Sequence, residues 1–295
     1  MQSPRTYHYS VVDVFMETPF EGNPLAVFLD AAGLSSDEMQ TIARELNLAE
    51  TSFVFRSERA AARVRIFTPC EELPFAGHPT IGTAFALVRD GRVDRDAASF
   101  VLEERVGPIS IRLERAENPF RAWFRTPPIA FEGHVERNVW ANGIGLQPED
   151  LMPGMPLRIV SAGNPFLFVP LRDRATVDRA VLDGATFLRA FGASFNGVFV
   201  FAPVPGGAYS RMFAPGVGVV EDPATGSATG PLGAYMAEYG LIPKVDGTRF
   251  TSEQGALMKR RSFIHGILHV RANELDWVEI GGSAVAVIQA QLSLP

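Results

Sequence analysis

The chain contains a single cysteine, Cys70. That excludes an internal disulfide and the Cys-x-x-Cys spacing of a zinc or redox site, and it suits a reducing compartment. No apolar run approaches the ~20 residues that a membrane-spanning helix needs. Residues 1–12 lack the apolar core and small-residue cleavage site of a secretory leader, so a soluble, cytoplasmic protein is expected. A basic surface is missing as well. Lys+Arg number 27 against 33 Asp+Glu, a net charge of −6, whereas nucleic acid requires a patch that neutralises phosphates. The short groups Arg112/Arg115 and Lys259-Arg260-Arg261 read as solvated faces.

Cofactor and metal signatures are equally scarce. No Gly-x-Gly-x-x-Gly follows a strand, and the glycine- and hydroxyl-rich stretch 224–230 lacks the Gly-Lys-Ser/Thr of a phosphate loop. Ser227 and Thr83 are conceivable nucleophiles, but neither sits in a Gly-x-Ser-x-Gly elbow. His265 and His269 fall in a segment that reads as strand, which sets them about 13 Å apart at ~3.3 Å per residue, too far to share one metal. Neither a cofactor nor a metal is therefore expected.

What the chain does have is an internal repeat. Gly22-Asn23-Pro24-Leu25-Ala26-Val27-Phe28 returns 141 residues later as Gly163-Asn164-Pro165-Phe166-Leu167-Phe168-Val169. Arg65-Ile66-Phe67-Thr68-Pro69 returns after 146 residues as Arg211-Met212-Phe213-Ala214-Pro215. His78-Pro79-Thr80-Ile81-Gly82-Thr83-Ala84 returns after 144 as Asp222-Pro223-Ala224-Thr225-Gly226-Ser227-Ala228. Three motifs in one order at nearly one spacing indicate two halves of a single design, with the active cleft expected where they meet. A length of 295 residues suits two such domains.

The pattern predicts strands over 7–15, 25–29, 51–55 and 62–67, and an amphipathic helix over 35–46 capped by Ser35 or Ser36. A mostly apolar helix is predicted over 79–88, a hairpin over 99–101 and 109–113, and a strand over 122–125. Thr126-Pro127-Pro128 is the best linker candidate. The second half repeats the grammar: strands near 166–169, 197–202 and 210–213, helices near 175–182 and 223–239, and closing strands over 263–270 and 277–294. Strict βαβ alternation is absent. The expected class is α+β, two pseudo-symmetric domains, each a curved, mostly antiparallel sheet around a central helix. Their expected bounds are 1–126, with 284–295 a candidate completing strand, and 127–283.

Proline is favoured at the first helical position and the residue before it is then the N-cap. On that reading His78 and Asp222 cap two equivalent helices, followed by the small residues Gly82/Thr83 and Gly226/Ser227. Two helix N-termini facing one cleft would suit a small anion, or the enolate-like charge left when a carbon-bound proton departs. Asp222 as a plain N-cap and His78 as a structural histidine are the competing readings. Glu50 sits between a predicted helix and a strand; facing solvent it does nothing, facing a dry cleft it becomes a general base.

The segments 13–30 (DVFMETPFEGNPLAVFLD), 39–54 (MQTIARELNLAETSFV), 65–83 (RIFTPCEELPFAGHPTIGT) and 211–235 (RMFAPGVGVVEDPATGSATGPLGAY), with Gln254-Gly255, resemble the phenazine biosynthesis PhzF family. That resemblance implies a diaminopimelate epimerase-like fold, a homodimer, and a cofactor-free isomerase like those converting trans-2,3-dihydro-3-hydroxyanthranilate to its keto isomer. Carried over, Glu50 is the proton-shuttling base, and His78 and Asp222 polarise or re-protonate the substrate. Gly77 and Ser227 hold its carboxylate, with Gly226 and Thr83 grouped beside them. Racemases of the same fold use one cysteine from each half; here those positions hold Gly77 or His78 and Asp222, which disfavours a two-thiol racemase. Ala49 stands where the family often has serine, and Lys259-Arg260-Arg261-Ser262 where it often has Gly-Arg-Pro-Ser. The alternatives are an epimerase or dehydratase of an amino or hydroxy acid, and a non-catalytic homologue that binds a small anion.

Overall fold

The computed structural model describes residues 4–116, 118–192 and 195–294. The chain divides into two compact units, residues 1–124 with 281–295, and residues 125–280.

The first unit opens with β1 (Arg5–Val14), β2 (Asn23–Phe28), α1 (Ser36–Leu46), β3 (Glu50–Phe55) and β4 (Ala62–Phe67). It continues through the two-residue β5 (Glu72–Leu73), α2 (Gly77–Arg89), the hairpin β6 (Ser99–Glu104) and β7 (Gly107–Glu114), and β8 (Arg121–Arg125). α1 begins with a capping box: Ser35 accepts from the Glu38 N–H, and Glu38 accepts from the Ser35 N–H. Its buried stripe is Met39, Ile42 and Ala43, the spacing of one helical face. The β2–β3 and β4–β6 pairings are parallel, and the others are antiparallel where their register is defined.

The second unit carries β9 (Ala130–His134), α3 (Arg137–Gly143), β10 (Arg158–Ser161), β11 (Pro165–Pro170), α4 (Arg174–Arg179) and α5 (Gly184–Phe191). Then come β12 (Gly197–Val204), β13 (Gly207–Ala214), β14 (Val219–Asp222), α6 (Gly226–Glu238), β15 (Arg249–Gln254), β16 (Ser262–Arg271) and β17 (Glu274–Leu294). β17 starts in this unit and its later residues lie in the first, where they pair with β1. The pairing sequence of the first unit recurs step by step: β10–β11 antiparallel, β11–β12 parallel, β12–β13 antiparallel, β13–β15 parallel, β15–β16 antiparallel. β5 and β14 are the matching short strands, laid on β4 and β13. The repeated motifs thus fold into one topology made twice, an α+β architecture.

α2 and α6 are the buried helices of the two units. Each has 13 residues, of which eleven are buried. Small side chains permit this. A Cβ on Gly82 would lie 2.6 Å from Leu25 Cδ2 and 2.8 Å from Val14 Cγ2. A Cβ on Gly233 would lie 2.3 Å from Cζ and 2.5 Å from Cε1 of Phe250, a fully buried ring. Gly233→Ala therefore gains helix propensity, about 1 kcal/mol, but overpacks a closed core, at about 1–3 kcal/mol or more. The expected outcome is a lower midpoint in urea with an unchanged slope.

Two helices escape the sequence pattern. α3 and α5 have seven and eight residues, too few turns to show helical periodicity, whereas the helix predicted near 175–182 is α4, Arg174–Arg179. Among the described residues, no helix is long and apolar enough to cross a membrane. The predicted helices at 79–88 and 223–239 need correction at their starts. α2 begins at Gly77 with Ala76 as N-cap, and α6 begins at Gly226 with Thr225 as N-cap. His78 is therefore the second helical residue and Pro79 the third. Asp222 is no cap: it ends β14, opposite Met212 of β13.

Candidate active site

In the first unit three chain segments converge. The Gly22-Asn23-Pro24 turn enters β2, Glu50 opens β3 directly beside Leu25 of β2, and α2 starts at Gly77. Gly22 adopts φ +74, and a Cβ there would lie 2.3 Å from the Val14 carbonyl oxygen; only glycine fits. That tight turn presents Asn23, fully buried, so that its Nδ2 lies 3.3 Å from His78 Nδ1. Oε2 of Glu50 lies 3.1 Å from the same Nδ1.

His78 is 4% exposed. Burial holds its pKa down, at about 3, so the imidazole is neutral at physiological pH. Its Nε2 is buried without a hydrogen-bond partner among the described residues. A neutral imidazole has one N–H and one bare nitrogen. With the proton on Nδ1 it donates to an ionised Glu50; with Nδ1 bare it accepts from a protonated Glu50. The pair therefore holds a transferable proton in a largely dry setting.

In the second unit Asp222 is 7% exposed, and its Oδ2 accepts from Thr225 Oγ1 at 2.6 Å. The turn joining β14 to α6 is pinned from below by Gln254, fully buried at the end of β15. Its Nε2 donates to the Asp222 carbonyl at 2.7 Å and lies 3.0 Å from Thr225 Oγ1; its Oε1 accepts from the Thr225 N–H at 3.1 Å. Gly255 follows with φ +74, where a Cβ would lie 2.6 Å from the Pro223 carbonyl oxygen.

Each unit also braces its short strand with an arginine. Arg65 forms a two-pronged pair with Glu72 at 2.7 Å for both bonds. Arg211 does the same to Glu221 at 2.8 and 2.9 Å, and its Nη1 donates to the carbonyls of Val177, Asp178 and Ala180. Such planar, bidentate, charge-assisted pairing fixes direction as well as distance. Glu221 directly precedes Asp222, so this brace sets the strand that carries it.

These contacts re-register the repeat. Glu72 matches Glu221, Gly77 matches Gly226, and His78 matches Ser227, at an offset of 149 residues. The second hydroxyl pair follows suit: Thr80 Oγ1 donates back toward the Ala76 carbonyl and Thr229 Oγ1 to the Thr225 carbonyl, each from the fourth helical position. The sequence equivalences His78/Asp222 and Thr83/Ser227 are thus corrected. Thr83 lies five residues beyond His78 in α2, fully buried, and its Oγ1 has no hydrogen-bond partner among the described residues. Gly77 and Gly226 each occupy the first position of their helix, and neither N-cap side chain makes a capping bond. Cys70 is exposed, in the turn after β4.

Asn23, Thr225, Gln254 and the two Arg–Glu braces were not singled out by reading residues for chemistry. The repeat itself carried a signal for two of them, since Asn23 and Arg65 recur as Asn164 and Arg211.

A family model described as phenazine biosynthesis-like protein, PhzC-PhzF, matches residues 12–290. The chain belongs to this family. A trans-2,3-dihydro-3-hydroxyanthranilate isomerase of Pseudomonas chlororaphis is 37% identical over 283 residues, covering 95% of this chain and 96% of that one. An uncharacterized isomerase of Escherichia coli K12, YddE, is 32% identical over 300 residues, 99% of each. Among solved structures, a PhzF-family phenazine biosynthesis protein of Bacillus anthracis has a TM-score of 0.89 at 29% identity, covering 98% of this chain and 99% of that one. Like its PhzF-family relatives, the chain is an isomerase, and its fold is diaminopimelate epimerase-like.

Proposed function

We propose that this PhzF-family protein is a cofactor-independent isomerase that moves a proton between two carbons of a small carboxylate. The observation that carries the reading is the contact between Glu50 and a buried, neutral His78. A carboxylate in this position can take a proton from an activated carbon. The imidazole can relay or polarise, because burial keeps it from becoming a competing cation.

Asp222 is the second acid in this reading. The Thr225 hydroxyl on its Oδ2 holds the carboxyl in place. Gly77, Gly226 and Ser227 lie in first helical turns whose N-caps contribute no side-chain bond. Their N–H groups and the helix dipoles suit a carboxylate, or the negative charge that develops as the proton leaves. Thr83, deeper in α2 and fully buried, packs that helix in this reading and does not touch substrate. The substrate named for the Pseudomonas relative, trans-2,3-dihydro-3-hydroxyanthranilate, has the required carboxylate and is the first compound to try.

NMR-monitored turnover in D₂O against a panel of small carboxylates, that compound included, tests the proposal. An isomerase places deuterium at a new carbon position as product forms. Label appearing only at an inverted stereocentre would mean epimerisation instead, and binding without any C–H exchange would remove the catalytic reading.

A further inference from the structure

Behind the first turn of α2 sits a carboxyl group that the proposed proton transfer does not use. Glu104 closes β6, opposite Gly107 in the tight hairpin to β7, and is 4% exposed. The hairpin is tied to the segment just before α2 by a bond from the Val106 N–H to the Pro74 carbonyl at 3.0 Å. Oε1 of Glu104 lies 2.7 Å from Thr80 Oγ1. The same Oγ1 lies 2.7 Å from the carbonyl oxygen of Ala76, the N-cap of α2.

A threonine hydroxyl owns one proton. It cannot satisfy two acceptors at 2.7 Å at once. The Ala76 carbonyl can only accept, so the second proton has to come from the carboxyl. The consistent arrangement is Glu104 O–H donating to Thr80 Oγ1, and Thr80 O–H donating to Ala76. Oε2, buried and without a hydrogen-bond partner among the described residues, is then the carbonyl oxygen of a neutral acid. An ionised oxygen left bare in that position would cost far more.

The charged groups on the surrounding elements are engaged elsewhere. His78 on α2 contacts Glu50. On β4, Arg65 holds Glu72 of β5, and Arg63 lies over the Phe55 ring. Arg105 in the hairpin turn points to Glu72 at 4.0 Å, and Arg112 on β7 lies over Trp123.

We propose that Glu104 is a positioning residue, kept as a neutral carboxylic acid, that fixes the first turn of α2 through Thr80 and thereby sets His78 against Glu50. The proposal rests on the reading of Glu50 and His78 as the proton-transfer pair only for its effect on rate. The protonated acid itself is independent of that reading.

Two measurements on the intact protein separate these parts. Infrared difference spectra at pH 7 should show the carbonyl stretch of a protonated carboxylic acid in the wild type and in Glu50→Gln, and its loss in Glu104→Gln. A spectrum with no such band overturns the proposal whatever the enzyme's substrate proves to be. In the D₂O assay, Thr80→Val and Glu104→Leu should lower kcat about tenfold with KM little changed. Thr80→Ser and Glu104→Gln, which keep a donor in place, should recover it to within about threefold. The wild-type rate should also fall above about pH 8, where burial places the ionisation of the acid, while Glu104→Gln holds its rate. Should Glu104→Leu fail to fold, the contrast between Thr80→Val and Thr80→Ser decides. Equal rates for that pair, or an alkaline fall shared by Glu104→Gln, overturn the positioning role.

Discussion

Glu50→Gln is expected to lower turnover by roughly 10²–10⁴-fold, the usual contribution of a positioned general base, while the protein stays folded. The carboxamide has the shape of the carboxylate but cannot accept the substrate proton. Backbone pairing at the start of β3 runs through Leu25 and does not involve the side chain. His78, neutral by burial, loses no charged partner on which its state depends. The melting temperature should therefore move by no more than about 2 °C, and deuterium exchange into substrate should disappear with turnover. Activity retained within tenfold would remove Glu50 from the chemistry. Activity lost together with a large fall in melting temperature would make Glu50 a structural residue. The variant thus separates a base from a brace, which the 3.1 Å contact alone does not.

Much of this arrangement was legible before any coordinates. The three repeated motifs announced a duplicated topology, because each marks a backbone event that the fold needs twice: a glycine turn into a parallel strand, an arginine that clamps a short strand, and a small-residue helix start. The register of the third motif is hidden in the sequence for a physical reason. From Arg65 to the start of α2 is 12 residues, but from Arg211 to the start of α6 is 15. The second half inserts its extra residues around the Pro215–Val217 turn and the longer β14. Aligning His78-Pro79 with Asp222-Pro223 skips that insertion, which gives Asp222 the pattern of a cap although it is the last residue of a strand. Gln254 was harder still. Its three contacts reach across about thirty residues to Asp222 and Thr225, and no local pattern encodes a bond of that span. Glu104 carries no sequence signal, being one acidic residue between the two predicted hairpin strands; only the position of Thr80, one turn into a buried helix, makes it unusual.

The second large effect concerns stability against pH, where His78 and Glu104 act in opposite directions. The native state holds both neutral. Burial pushes the Glu104 carboxyl up to about 8 from its ordinary 4.5, and it pulls His78 down to about 3 from 6.5. Between pH 4.5 and 8 the unfolded chain releases the Glu104 proton while the folded chain keeps it. Stability then falls as pH rises, by about 1.4 kcal/mol per unit. Between pH 3 and 6.5 the unfolded chain protonates His78 while the folded chain does not, so stability rises with pH at the same rate. The two slopes cancel from 4.5 to 6.5. Above 6.5 only the Glu104 slope remains, and below 4.5 only that of His78. All other titrating groups are common to wild type and variant, so the difference curve isolates each residue. For Glu104→Gln, the stability gained over wild type should be level below pH 4.5, grow through the neutral range to roughly 3–5 kcal/mol, and level off near pH 8. His78→Gln should give the mirror image, a relative gain that appears only as pH drops below 6.5. Urea titrations at half-unit pH intervals measure both curves. Parallel stability profiles for wild type and Glu104→Gln would mean that the carboxyl ionises freely in the folded protein, and the hydrogen-bond chain through Thr80 to Ala76 would then have no proton to begin with.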